Sequence, residues 1–368
     1  MVYKTTVGKI IKSSLISEVM KKTYEPTPLF IERMKSLLGD ADFENYWKII
    51  RIQPVKSIRV NTLKISPENL KKKLEAKSWI VKQPFKNFPE IMIVEGKKDY
   101  GISQEAIRNQ SSEIRGSSKE TSGFLLPGEL GRSLEHLLGY YYIQEISSML
   151  PVIVLKPKPN EVILDLCSAP GSKTTQIAAK MENTGTVIAN DLKLGRIKIL
   201  ASNLERCGVT NTIITKSSGE SLCRKLKKEN LKINKILVDA PCSGEGTIRG
   251  TPKTLQMWNI KKVFSLSRIQ KTLLERAIEL LESGGEIVYS TCTHAPEENE
   301  EVIDFILRKF KNVKLEKILL PLEVKFREGI KKWQEKEYLE KIKYSCRIYP
   351  QDNDTEGFFI AKLKVKGK

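Results

Sequence analysis

Along the second half of the chain, short runs of almost unbroken apolar and β-branched residues recur: EVILDLC (161–167), TGTVIANDL (184–192), NTIITK (211–216), INKILVDAP (233–241) and GEIVYSTC (285–292). Segments with helical spacing of apolar residues separate them. Runs this apolar imply strands buried on both faces, which requires helices on either side of a parallel sheet. The pattern therefore predicts an α/β domain with a doubly wound sheet, whose ligand sites lie at the carboxyl ends of its strands. The tail CRIYPQDNDTEGFFIAKLKV (346–365) is expected to add one or two further strands.

Upstream the pattern differs. PTPLFIERMKSLLGD and DFENYWKIIRI read as helices, SIRVNTLKI alternates like a strand, and SPENLKKKLEAK opens as a helix does, with Ser66 as cap and Pro67 in the first turn. Short strands are expected in WIVKQP and IMIVEG, and the Gly/Ser-rich stretch 101–132 reads as loops. IQEISSMLPVIVL (143–155) looks helical and runs into the Pro/Lys punctuation KPKPNE. The expected organisation is a basic, partly helical extension at 1–25, an α+β module at 26–155 and the α/β domain at 156–368.

Composition narrows the classes. A chain of 368 residues exceeds one typical domain and allows two. The 63 Lys and Arg against 44 Asp and Glu give a net charge of +19, a field that points to a polyanionic partner. The competing explanation is a Lys-rich proteome in which basic surfaces are common. No apolar run reaches the ~20 residues of a membrane span, and the first residues lack the apolar core of a signal peptide. The expectation is a cytoplasmic protein without membrane contact. Six scattered cysteines with no CxxC suggest free thiols, and with only His136 and His294 no metal centre is expected.

EVILDLCSAPGSKTTQIAAKM reads as strand, tight turn, helix. It has neither the GxGxxG of dinucleotide sites nor the GxxxxGK[ST] of phosphate-cradling loops, so the ligand offers no phosphate chain. A cofactor with a carboxylate and a ribose fits better. The helix N-terminus with Lys173 could hold the carboxylate, and Asp191, after the next strand, could accept ribose hydroxyls. S-adenosylmethionine meets this description; an ordinary strand-to-helix turn that happens to carry a lysine is the plain alternative.

DLCSAPGSKT, DAPCSGEGT, YSTCTHAPEENE, the upstream RVNTLK and YYIQEISSML and the closing GFFIA, in this order, resemble the Sun/Fmu and nucleolar-antigen family of RNA (cytosine-C5) methyltransferases. The likeness runs from about residue 30 to the C-terminus, and in detail it is to archaeal tRNA 5-methylcytidine methyltransferases. It implies a Rossmann-like class I methyltransferase sheet with a smaller N-terminal α+β domain that contacts RNA. It also implies S-adenosyl-L-methionine as cofactor, RNA (tRNA foremost) as partner, and room for an accessory specificity protein. The cofactor residues it implies are Cys167, Ser168, Ala169, Pro170, Gly171, Lys173, Asp191, Arg196, Ser218 and Asp239; Arg59 and Asn61 are implied as RNA or active-site contacts, with a packed strand as the plain alternative.

The reaction explains why two cysteines sit at neighbouring strand ends. Carbon 5 of cytosine becomes nucleophilic only after a nucleophile adds at carbon 6, and a thiol is suited to that because a few per cent is thiolate even at an unperturbed pKa. Asp239 is the candidate to grip nitrogen 3 and the exocyclic amine. The resemblance gives the attack to Cys292 and product release to Cys242. Analogy with DNA cytosine methyltransferases, which use a Pro-Cys cysteine, would make Cys242 the nucleophile instead, and the residues alone leave both open.

Other positions carry weaker signals. Pro296, Glu297 and Glu298 read as a helix start. Gln144 and Ser148 match a segment that closes the cofactor pocket, and Gly357 and Phe358 read as core-strand residues beside it. Where the family usually has an acid after the third strand, this chain has Ser217 and Ser218, with Glu220 the nearest carboxylate. His294 carries no assigned role. Basic clusters at Lys71–Lys73, Arg224–Lys228 and Lys261–Lys262 could meet phosphates or be plain solvated helix faces. The rival functions are rRNA cytosine-C5 methylation and a non-catalytic RNA-binding or assembly protein.

Overall fold

A computed structural model describes residues 24–97 and 129–366. Most of the 1–25 extension and of the Gly/Ser-rich stretch lies outside these residues. The chain opens with two helices, α1 (Pro28–Leu38) and α2 (Asp40–Ile49). Thr27 caps the first through a bond from the Phe30 amide, with Pro28 at the position where no amide is needed. An antiparallel sheet in the order β2-β3-β1-β4 follows, built from β1 (Lys56–Val60), β2 (Trp79–Lys82), β3 (Ile91–Lys97) and β4 (Tyr141–Ile143). Helix α3 (Pro67–Glu75), capped by Ser66, lays Leu70 and Leu74 on this sheet against Ile58, Val60, Met92 and Tyr141.

The larger sheet has the order β11-β14-β15-β9-β8-β5-β6-β7. Its parallel part comprises β5 (Val162–Asp165), β6 (Thr186–Asp191), β7 (Thr212–Lys216), β8 (Lys235–Asp239) and β9 (Glu286–Thr291). From β5 the chain adds strands first to one side and then to the other. That reversal leaves a crevice outside the strand ends, the place where doubly wound sheets bind ligands. The remaining strands are β10 (Val313–Glu316), β11 (Arg327–Glu328), a small hairpin of β12 (Lys332–Trp333) and β13 (Lys336–Glu337), β14 (Cys346–Ile348) and β15 (Phe358–Val365). β15 runs antiparallel to β9 on one edge; β14 and β10 pair with successive halves of its other edge.

Crossover helices α5 (Ser172–Lys180), α6 (Leu194–Cys207), α7 (Gly219–Lys228), α8 (Ile260–Leu280) and α9 (Glu300–Lys309) accompany this sheet. Between them and the strands lie apolar layers such as Leu164, Ile236, Leu274, Ile287 and Ile303. Two expectations need correction. NTIITK is not buried on both faces: β7 is the edge strand and leaves Ile213 57% exposed. The helix preceding residue 155, labelled α4 (Ile146–Leu155), packs on the large sheet against Ile163, Leu237, Val288 and Ile360. A helix apolar all round must be covered all round. The seam between the modules therefore falls just ahead of it, near Gln144.

That seam is polar and hydrogen-bonded, though Arg59 Nε is buried without a partner. Arg59, at 3% exposure, donates to the Ser172 carbonyl (2.6 Å), to Thr175 Oγ1 (2.7 Å) and to Gln144 Oε1. Asn61 Nδ2 donates to the carbonyls of Gly139 (2.8 Å) and Cys207 (2.7 Å). On the other side, Phe30, Met34, Phe43 and Tyr46 of α1 and α2 pack with Ile248, Trp258 and Ala295 of the large domain.

One ion pair anchors the C-terminal strands. Arg347 on β14 donates from Nε to Glu300 Oε1 (2.6 Å) and from Nη2 to Glu300 Oε2, with side-chain exposures of 2% and 0%. Removing one member of a buried pair leaves the other charge uncompensated. Glu300→Ala is expected to lower unfolding stability by about 3–5 kcal/mol in urea titration; a loss below about 1 kcal/mol would show that Arg347 is solvated without its partner.

Candidate active site

The turn after β5 is pinned before the helix begins. The Ser168 amide donates to the Asn190 carbonyl at the end of β6 (2.8 Å), and Ser168 Oγ bonds the same oxygen (2.9 Å). Gly171 precedes α5 at φ +103°, a region that side-chain-bearing residues rarely adopt. Asp191, at the tip of β6, accepts from the Lys193 amide (3.0 Å) and pairs with Arg196 (3.0 Å), whose guanidinium also reaches the Ala169 carbonyl. Asp165 accepts from Thr174 Oγ1 (2.7 Å) through one oxygen; the other has no partner. Burial pushes the Asp165 carboxyl up to about 7.

At the end of β8, Asp239 receives two directional contacts, Lys173 Nζ at 2.7 Å on one oxygen and Ser290 Oγ at 2.7 Å on the other. Lys173 also donates to Ser148 Oγ (2.9 Å) and lies 5.1 Å from the centre of the Phe358 ring. Its ammonium thus orients Asp239 instead of standing free for a cofactor carboxylate, which corrects the simpler expectation.

The two cysteine loops meet beyond Asp239. Cys242 Sγ and Cys292 Sγ are 3.1 Å apart. The hydrogen bond with Cys292, followed by burial, raises the Cys242 thiol well above its ordinary pKa. The loops are tied by Ser243 Oγ to Thr293 Oγ1 (2.7 Å) and by Glu298, which accepts from the Ser243 amide (3.0 Å) and from Gln270 Nε2 (2.7 Å). The Gly246 amide donates to the Cys292 carbonyl and the Gly357 amide to the Gly246 carbonyl, both at 2.9 Å. A Cβ on Gly246 would stand 2.2 Å from the Gly357 oxygen, so this contact requires glycine.

Pro296, Glu297 and Glu298 do not begin a helix, as their types suggested; α9 starts at Glu300. Their acids face inward. Glu297 pairs with Arg33 of α1 (2.8 Å) and accepts from Trp333 Nε1 (2.9 Å), and burial raises Glu298 to about 7.

A cavity of about 770 Å³ joins these groups. Cys167, Ser168, Ala169, Pro170, Lys173, Asp191, Arg196, Ser218, Asp239, Cys242 and Cys292 all line it. Gly171 shapes the turn without lining the space. Arg59 and Asn61 do not line it and are buried, with their bonds made across the seam. The wall also includes Gln144, Ser148 and Phe358, and residues that sequence reasoning left aside: Asp165, Asn190, Glu145 and Glu356. The Glu356 amide bonds Glu145 Oε1 (3.1 Å), and burial lifts the Glu356 carboxyl to about 7. The available signal for Glu356 was its place directly before the GFF run.

The chemistry fits an adenosyl cofactor on one side and a pyrimidine on the other. Asp191 at the second strand tip and the unpartnered Asp165 oxygen supply acceptors, and the two sulfurs and Asp239 occupy the adjoining wall. Among the described residues, no cluster suits a metal ion and no helix is long and apolar enough to cross a membrane.

Comparison with known proteins adds an independent result. Residues 152–364 match the family model for the 16S rRNA methyltransferase RsmB/F. A tRNA (cytosine(49)-C(5))-methyltransferase of Pyrococcus abyssi (strain GE5 / Orsay) is 41% identical over 334 residues, spanning 91% of this chain and 94% of that protein. Ribosomal RNA small subunit methyltransferase F of Aliivibrio salmonicida (strain LFI1238) is 38% identical over 312 residues; the match spans 84% of this chain but 57% of that protein. Among solved structures, a methyltransferase homolog protein from Pyrococcus horikoshii superposes with a TM-score of 0.72 at 32% identity, covering 96% of this chain and 100% of that one. NSun6 from Pyrococcus horikoshii with SFG gives 0.73 at 28% identity, covering 93% and 99%.

His294, two residues after Cys292, is buried between Tyr349, stacked at 5.0 Å, and Tyr46. Burial and the nearby Arg347 and Arg327 charges lower its pKa to about 3. In the unfolded chain it titrates at its ordinary ~6.5, so that state binds more protons in the interval and stability falls as pH drops from about 6.5 towards 3. His294→Phe is expected to flatten the melting temperature across that window relative to the parent. Parallel pH profiles would contradict the assignment.

Proposed function

Because the chain belongs to the RsmB/F family of methyltransferases, we propose that it transfers a methyl group from S-adenosylmethionine to carbon 5 of a cytosine in RNA, with tRNA the favoured substrate, through a transient bond to Cys292. The observation that carries this reading is the 3.1 Å approach of two free thiols in a cavity that also holds Asp239, Lys173 and Asp191. A buried structural cysteine explains either residue alone and does not explain the pair.

S-adenosylmethionine supplies an electrophilic methyl, and SFG, held by the NSun6 relative, is an analogue of it. Asp191 would hold its ribose and the turn at 167–170 its neighbouring atoms. The protein's own residues then act on the base. Asp239, fixed by Lys173 and Ser290, accepts from the exocyclic amine and engages nitrogen 3. Cys292 Sγ adds to carbon 6, and the displaced electron pair makes carbon 5 the nucleophile. After methyl transfer, solvent takes the carbon 5 proton, the electron pair of that bond re-forms the double bond, and the carbon–sulfur bond breaks with Cys292 leaving as thiolate. Cys242, beside Cys292, hydrogen-bonds the leaving sulfur and acts in this release. The family resemblance favours Cys292 as the attacking sulfur over the Pro-Cys cysteine, and the adduct experiment below separates the two.

The preference for tRNA rests on coverage. The archaeal tRNA enzyme is 41% identical over 91% of this chain, against 38% over 84% for the rRNA enzyme, of which this chain spans 57%. An inactive assembly protein would have no use for Cys242, Cys292, Lys173 and Asp239 on one cavity wall.

Transfer of labelled methyl groups to tRNA and rRNA, with denaturing gels for covalent RNA–protein species, tests the assignment. Cys292→Ala is expected to show neither turnover nor adduct, with a loss of at least ~10³-fold as for removal of a covalent nucleophile. Cys242→Ala is expected to accumulate adduct that survives denaturation. The reverse pattern would assign attack to Cys242.

A further inference from the structure

Helix α8 has two faces with different tasks. Its inner face positions both cysteine loops: Gln270 Nε2 donates to the Pro241 carbonyl (2.8 Å) and to Glu298, and Ser267 Oγ donates to the Glu297 carbonyl (2.5 Å). Its outer face exposes Lys261, Phe264, Ser265, Arg268 and Ile269, which follow i, i+3, i+4, i+7 spacing and form one stripe. Phe264 is 41% and Ile269 46% exposed, and Met257, just before the helix, is 47% exposed. Ile269 and Leu273 themselves line the cavity that holds the cysteines, so the stripe runs from open surface to the mouth of the active site.

The charge on this stripe is unanswered. Further along the helix Lys271 pairs with Glu301 and Arg276 with Glu279, whereas no carboxylate of a described residue pairs with Lys261, Lys262 or Arg268. An exposed aromatic ring between free cations, leading into a cavity shaped for one base, combines the two elements by which single strands are held: stacking on π-faces and phosphate neutralisation.

We propose that the outer face of α8 seats the single-stranded RNA flanking the target cytosine, with a neighbouring base stacked on Phe264 and phosphates at Arg268 and Lys261. From Lys261 to Ile269 the helix advances about 12 Å, enough for a short run of nucleotides. The inference rests on the RNA-methylating function above and adds where the strand lies. It also supplies a physical role for the Lys261–Lys262 cluster, which the sequence left open between a phosphate contact and a solvated face. Because the same helix holds the Pro241 and Glu297 carbonyls from within, the strand and the two sulfurs are referenced to one rigid element.

The test measures the affinity of the full chain for tRNA and for a short unstructured cytidine-containing RNA, across a salt series and without S-adenosylmethionine. Phe264→Ala is expected to weaken binding about 5- to 100-fold with the salt slope unchanged. Arg268→Ala and Lys261→Ala are each expected to weaken it and to reduce the slope by about 1. The KM for RNA should rise in each variant while the KM for S-adenosylmethionine and the melting temperature stay at parental values. Lys314→Ala, exposed on β10 at the opposite strand ends from the cysteines, serves as control and should change none of these. Parental RNA affinity and salt slope in folded Phe264→Ala and Arg268→Glu proteins would overturn the inference while leaving the proposed reaction standing. A parental protein that binds neither RNA would overturn both.

Discussion

The site depends on holding two strand-end loops against each other so that their sulfurs touch. Parallel strands β8 and β9 are neighbours, but adjacency alone leaves side chains at their tips free to diverge. The constraint comes from Glu298, which accepts from the Ser243 amide on one loop and is itself carried by the other. Gln270 closes the arrangement from α8, and the Tyr289 hydroxyl donates to the Glu298 carbonyl (2.6 Å). Asn299 braces the Cys292 loop internally, accepting from Thr291 Oγ1 (2.6 Å) and donating to the Thr293 carbonyl (2.9 Å). A buried polar network of this kind is favourable only when its members are satisfied, and it then specifies one geometry. The acids after Cys292 are therefore structural instruments of the two thiols.

The N-terminal module is built into the same logic. Arg59 reaches across to the first residues of α5, whose Lys173 orients Asp239, so the small sheet braces the helix that carries the lysine. Burial lowers the Arg59 guanidinium to about 10; its two terminal nitrogens bond neutral acceptors, while its buried Nε has no partner. On the opposite flank, Arg33 of α1 meets Glu297. Both ends of the N-terminal segment thus grip loops that form the cavity, which ties its role to the site's rigidity.

Much of this was legible in residue order. Apolar runs gave the parallel strands, because only strands covered on both faces read that way, and the strand-end positions of Cys242 and Cys292 followed from them. Exposure of β7 was not legible, since an edge strand and an inner one can share a composition. Helix α4 announced its burial by being apolar all round, but which sheet covers it depends on contacts with Ile163, Val288 and Ile360, all distant in sequence. The Pro296–Glu298 run carried a local helix-start signal that lost to long-range donors, since an inward carboxylate is recognised only when its donors are known. The bonding of Arg59 and Asn61 was not legible for the same reason: their partners are carbonyls and hydroxyls that any sequence supplies.

The central claim is that Cys292 sulfur bonds carbon 6 of a cytosine. RNA containing 5-fluorocytidine has no carbon 5 proton to lose, so the bonded state should persist on the protein and survive digestion. Mass spectrometric mapping of the trapped peptide is the most direct measurement. The account predicts the nucleotide on the peptide bearing Cys292; attachment at Cys242, or methyl transfer to ordinary RNA with no trapped species at all, would contradict it.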